Sequence, residues 1–357
     1  PAIVSARFDR PQDIDSYVFE SGEGGNFAFE VFCERIAGRA DPFLIVQDAE
    51  GNKVVEADDY GHRVNAFDGH LRDPVIAVDL KPKQKYHVLV GDRYGRGNAR
   101  MQYVLSVHRS QPDFFMAAIH RQPNPAGVNL WRGGAEWVDV VIHRTEGNRG
   151  PIVVRAENLP PGVHAAPTTL QDGTRGTFVF WSDADAPLGV QPVRLVATAE
   201  RGDEKLSRTV RAYTRVWNDG IATSRPTRDL VLATCETAPL RVTLEPAQIS
   251  VEAGKPAQLK AVVTRHWPDA KNEVRLSALA IPGNFQLAET VVPTGAADVA
   301  VTINVQPNTA PGDYTLALQC QSQVPYAADP QATQRPNNLV TQVSLPVTIT
   351  VTAPAKK

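Results

Sequence analysis

Apolar and polar residues alternate along most of this chain in short runs, and turn-forming residues interrupt the alternation about every ten positions. Over residues 1–109 the pattern predicts strands at Ser16 to Glu20, Asn26 to Cys33, Pro42 to Gln47, Lys53 to Glu56, Asp73 to Asp79, Tyr86 to Gly91 and Gln102 to His108. Further on, Val138, Val140 and Ile142 fall on one face of a strand, as do Leu259, Ala261 and Val263. Pro (28) and Gly (25) are plentiful and only Met101 and Met116 represent methionine, a balance that favours strands and turns over helices. The fold class is therefore all-β. At 357 residues the chain is too long for one ordinary β-domain, and three tandem β-sandwiches accommodate it.

The densest local signal lies between Asp41 and Asp68. Phe43 to Val46 is apolar, Asp48 to Asn52 is rich in residues that tolerate positive φ, and Lys53-Val54-Val55 resumes an extended pattern, which together predict a hairpin. Glu56, Asp58 and Asp59 follow at once, with Asp68 nine residues beyond Asp59. Crowded carboxylates repel unless a cation or water separates them, and a set made only of oxygen ligands suits calcium. Asp58, Asp59 and Asp68 are the candidate metal ligands. A solvated acidic loop is the competing reading, because the twelve-residue calcium-loop pattern is missing.

One ordered set of motifs carries a family resemblance. Asp13-Ile14-Asp15-Ser16-Tyr17-Val18-Phe19 is followed by Asp41-Pro42, Asp48 to Gly51, Asp58-Asp59, Tyr86 to Val90, Tyr94-Gly95-Arg96-Gly97 and Tyr103 to Val107. Residues 1–109 thereby resemble the bacterial pre-peptidase C-terminal domain. The resemblance implies a compact, jelly-roll-like β-sandwich of the kind found beside the catalytic domains of secreted proteases, with calcium binding known among the related collagen-binding domains. Asp13 and Asp15 serve equally well as turn and edge-strand residues.

The remainder repeats itself. Gly134 answers Gly254, Arg144 answers Arg265, Pro161-Gly162 answers Pro282-Gly283, and Gly189 answers Gly312, in order and at nearly constant separation. Two copies of one domain are expected, 127–217 and 239–353, each of immunoglobulin-like size. Both lack the cysteine and tryptophan pattern of antibody domains, so the resemblance is to the broad bacterial immunoglobulin-like class. Residues 110–126 and 218–238 read as linkers.

A net charge of −2 gives no case for nucleic acid or an anionic membrane, and no apolar run is long enough to insert into a bilayer. The start at Pro1, without an initiating methionine or a signal-like block, reads as a processed or excised piece of something longer. Cys33, Cys235 and Cys320 match no metal or redox spacing; Cys33 reads as a buried thiol, and Cys235 and Cys320 are either bridged or free. Metalloprotease, nucleophile-elbow, phosphate-loop and dinucleotide motifs are all missing, and the histidines are scattered, with His62 and His70 alone near acidic residues. Trp131, Trp137, Trp181, Trp217 and Trp267 read first as core or linker contacts and second as stacking surfaces for sugar or protein. The expected function is a non-catalytic extracellular or cell-surface module that binds a protein or polysaccharide, or acts structurally in adhesion. The alternative is the accessory region of a secreted hydrolase whose catalytic domain lies outside this sequence.

Overall fold

The computed structural model describes residues 1–59, 73–121, 127–171, 173–218, 221–329 and 331–354, without the side chains of 215–218 and 221–225. It divides into two compact units, Pro1–Asp113 with Arg144–Asn148, and Phe114–His143 with Arg149–Lys357.

The first unit is built from β1 (Ala2–Arg7), β2 (Ile14–Glu20), β3 (Gly25–Phe32), β4 (Pro42–Gln47), β5 (Lys53–Ala57), β6 (Val75–Leu80), β7 (Lys85–Asp92) and β8 (Gln102–Arg109). They form two antiparallel four-stranded sheets, in the orders β1-β8-β3-β6 and β2-β7-β4-β5. This is the jelly-roll arrangement, in which hairpin partners are drawn from opposite ends of the chain. Alternation explains the layering: β4 reads buried and half-buried at successive positions, sending Leu44 and Val46 inward against Phe8, Phe29, Val88 and Tyr103. Burying one such side chain contributes about 1.5–3 kcal/mol. The predicted strands fall where expected to within a residue or two, and β1 is the one the pattern missed.

The second unit holds two sandwiches. The first of them comprises β9 (Asp113–His120), β10 (Val128–Arg132), β11 (Ala135–Thr145), β12 (Ile152–Glu157), β13 (Val163–Ala165), β14 (Thr168–Leu170), β15 (Arg175–Ser182), β16 (Gly189–Arg201), β17 (Glu204–Asn218), β18 (Ile221–Pro226) and β19 (Leu230–Thr237). One face runs β9-β11-β15-β13; the other places β12 and β14 on one side of β16, with β17 and β19 on the opposite side and β10 parallel to β19. The second sandwich comprises β20 (Leu240–Glu245), β21 (Gln248–Glu252), β22 (Pro256–Arg265), β23 (Val274–Ala278), β24 (Phe285–Leu287), β25 (Thr290–Val292), β26 (Asp298–Val305), β27 (Gly312–Leu316), β28 (Leu318–Pro325), β29 (Asn337–Val343) and β30 (Val347–Thr352).

The repeat seen in the sequence is a repeat of strand pairing. β20-β22-β26-β24 reproduces β9-β11-β15-β13, β25-β23-β28-β29 reproduces β14-β12-β16-β17, and the parallel pair β21-β30 reproduces β10-β19. β27 and β28 together do the work of β16. One anchor shifts by a residue: Gly133 (φ 71°) and Gly254 (φ 86°) make the left-handed turns that lead into β11 and β22. Gly134 is instead required by packing, since a Cβ there would stand 2.7 Å from the Ala238 methyl.

One expectation changes and one open alternative closes. Residues 110–126 and 218–238 are not plain linkers: they contain β9, β18 and β19, and Met116, Ala118, Leu230 and Leu232 enter the core with Val138, Val140 and Ile142. Pro112 precedes β9 and Pro226 ends β18, positions that a sheet tolerates. Of the two states left open for Cys235 and Cys320 the structure has the free one: all three cysteines are free thiols. Cys235 lies on β19 of one sandwich and Cys320 on β28 of the other, where burial pushes its thiol up.

Candidate functional site

In the first unit the β4–β5 hairpin brings carboxylates together. Asp48 fixes its turn: Oδ1 accepts from the backbone N–H groups of Glu50 and Asn52, and Oδ2 accepts from the Asn52 amide, while Gly51 takes φ 84°. The resulting register sets Leu44 opposite Ala57, so Asp41, just ahead of β4, falls beside Asp58 and Asp59, just past β5. Asp41, Asp58 and Asp59 each offer an oxygen within 4.8 Å of the others. Asp68, and His62 and His70 with it, lie outside the described residues. Glu56 points to a surface pair with Lys53.

The surroundings are built to hold this end of the sheet. Asp92, at the end of β7, is buried; its carboxylate accepts from the Asp41 N–H (2.8 Å), from the N–H groups of Tyr94 and Arg96, and from the Arg96 guanidinium. Burial pushes the Asp92 carboxyl up, but these hydrogen bonds outweigh it and leave it below its ordinary value. Asp58 goes the other way: burial raises it, Arg93 at 3.2 Å pulls against the rise, and Asp59 and Glu56 add to it. Its Oδ1 is enclosed without a hydrogen-bond partner among the described residues. Sequence reasoning found Asp58 and Asp59 and missed Asp41 as their companion, although the hairpin register contained the signal.

Asp13 and Asp15 are structural, as the sequence allowed. Asp13 accepts from the Asp9 N–H, and Asp15 accepts from the Tyr103 hydroxyl, which also meets the Tyr17 hydroxyl at 2.7 Å.

In the second unit the tryptophans divide. Trp137 is buried with Ala135, Val179, Ala317 and Val343 in an apolar contact joining the two sandwiches, so the core reading holds for it. Trp131 and Trp267 instead line an open cleft of about 630 Å³ between β10, β19 and β29. Trp267 donates its indole N–H to the Thr237 carbonyl at 3.1 Å and stacks on Tyr326 at 5.8 Å. At the same cleft Glu136 is buried, accepting from the Arg121 guanidinium at 3.1 Å and from the Trp137 N–H at 3.0 Å. Burial holds the Glu136 carboxyl above its ordinary value despite Arg121.

No protein-family model matches the chain, and no curated protein matches it. Among solved structures it is similar to a protein of unknown function from Porphyromonas gingivalis W83, at 13% identity over 67% of this chain and 98% of that one, with a TM-score of 0.20. It is also similar to fibronectin(III)-like modules of Clostridium thermocellum CbhA, at 8% identity over 67% and 95% with a TM-score of 0.20. A third match is domains 4 and 5 of the S-layer protein SbsC, at 14% identity over 68% and 98%, again with a TM-score of 0.20. The all-β assignment rests on the strand pairing described above.

Proposed function

We propose that this chain is a non-catalytic structural or binding module of an extracellular or cell-surface protein, with a calcium ion bound at one end of its first sandwich. The observation that carries the calcium reading is the convergence of Asp41, Asp58 and Asp59 within 4.8 Å. Calcium–oxygen bonds of about 2.3–2.6 Å place two ligands on opposite sides of the ion at about twice that separation, so the spacing fits. An all-oxygen donor set favours a hard cation, and the enclosed Asp58 Oδ1 has no competing donor among the described residues. Arg93 at 3.2 Å from Asp58 is the group calcium would displace, which argues for affinity in the extracellular range of about 0.1–1 mM.

The structural half of the proposal draws on the duplication. Two sandwiches with the same pairing, locked through Trp137, Ala317 and Val343, suit a part that holds other domains at a fixed separation. Calorimetric titration of the purified chain with calcium tests the first half, and an undetectable heat at millimolar calcium would remove it. Incubation with protein, ester and glycan substrates tests the second; turnover above a buffer control would overturn the non-catalytic reading.

A further inference from the structure

The cleft at β10, β19 and β29 has a size typical of small-molecule sites and a chemistry that the structural role does not use. Its aromatic groups are fixed in advance: Trp267 is tied to the Thr237 carbonyl and stacked on Tyr326 at an interplanar angle of 26°, while Tyr326 itself stays 49% exposed. Trp131 lines the same space. Gln342 also borders the cleft; it is only 7% exposed, and its enclosed Oε1 has no hydrogen-bond partner among the described residues. Asn129 and Thr341 add exposed or half-exposed polar groups.

Charge narrows the class. The Arg121 guanidinium is already committed to Glu136, both oxygens of Glu136 are engaged, and Glu236 adds a negative charge to the lining. Among the described lining residues an anionic ligand would find no uncompensated cation. What remains is an uncharged molecule with apolar faces for the rings and hydroxyl groups for the amides. We propose that this cleft binds a neutral oligosaccharide, with Tyr326 and Trp131 against sugar faces and Asn129 and Thr341 hydrogen-bonded to hydroxyls. This deepens the reading of the chain as a non-catalytic binding module and rests on it.

The test is a calorimetric and NMR titration of the full chain with neutral oligosaccharides (gluco-, xylo- and manno-series), with an acidic oligosaccharide and an extended Val/Thr-rich peptide as comparisons. The expected result is saturable binding of at least one neutral series, weakened about tenfold by Tyr326→Ala and also by Asn129→Ala. Both side chains are at the surface, and unchanged melting curves would show that the variants remain folded. Silence with every neutral sugar at millimolar concentration, or binding of the peptide or the acidic sugar alone, overturns the proposal and leaves the non-catalytic reading standing. Release of new reducing ends from a bound sugar would instead overturn that reading.

Discussion

The carboxylate of Asp92 accepts a hydrogen bond from the backbone N–H of Asp41 at 2.8 Å, linking the end of β7 to the start of β4 across the mouth of the acidic cluster. Through this bond a buried anion, compensated by Arg96 and three backbone donors, positions one of the three converging carboxylates.

Replacing that anion should destabilise the first sandwich. Asp92→Ala leaves the Asp41, Tyr94 and Arg96 N–H groups without their acceptor, at a cost of about 3 kcal/mol. The folded Asp92 carboxyl lies below its unfolded value of 3.8, so its contribution is present above that pH and is lost as pH falls through the folded pKa. Urea unfolding at pH 7 and at pH 3 measures both; an equal cost at the two pH values would contradict the assignment.

Asp58 should behave in the opposite sense. Its folded carboxyl lies above the ordinary 3.8, so its charge opposes folding at neutral pH, and the penalty disappears below the unfolded value, where the group is protonated in both states. In chelator-treated protein, Asp58→Asn is expected to raise the melting temperature at pH 7 and leave it unchanged at pH 3. With millimolar calcium the order at pH 7 should reverse, because the wild type alone gains from binding.

The two sandwiches of the second unit should unfold together while their apolar contact is intact. Trp137→Ala removes a ring buried to 4% exposure from the cluster with Ala317 and Val343, at about 3 kcal/mol. Scanning calorimetry is expected to resolve one merged transition into two. Retention of a single transition would show that the coupling runs elsewhere.

Three thiols should titrate in denaturant, with unequal reactivity in the native state. Cys235 is partly accessible and reacts first; Cys33, pushed up to about 12 by burial and then by Asp73, and Cys320, buried on β28, wait for unfolding. Timed alkylation followed by peptide mass spectrometry reads the order, and fewer than three thiols in denaturant would mean a bridge had formed.

Which segments become strands is legible in the chain alone. Alternation of period two places strands wherever one face must be buried, so β4 and its neighbours could be read to within a residue or two, and the recurrence of Pro161-Gly162 in Pro282-Gly283 exposed the duplication. Asp58 and Asp59 were visible because they are neighbours in the chain. The rest depends on contacts between residues far apart in the chain. β9 and β19 look like linkers because their neighbouring prolines and short apolar runs carry no record of the sheet they complete, and Met116 and Leu232 become core residues only once that sheet exists. Asp41 joins the acidic cluster through hairpin register, and Trp131 and Trp267 line one cleft because the two sandwiches pack through Trp137. Local pattern records the period of each strand; which strand ends and which domain faces come together is set by burial across the whole chain.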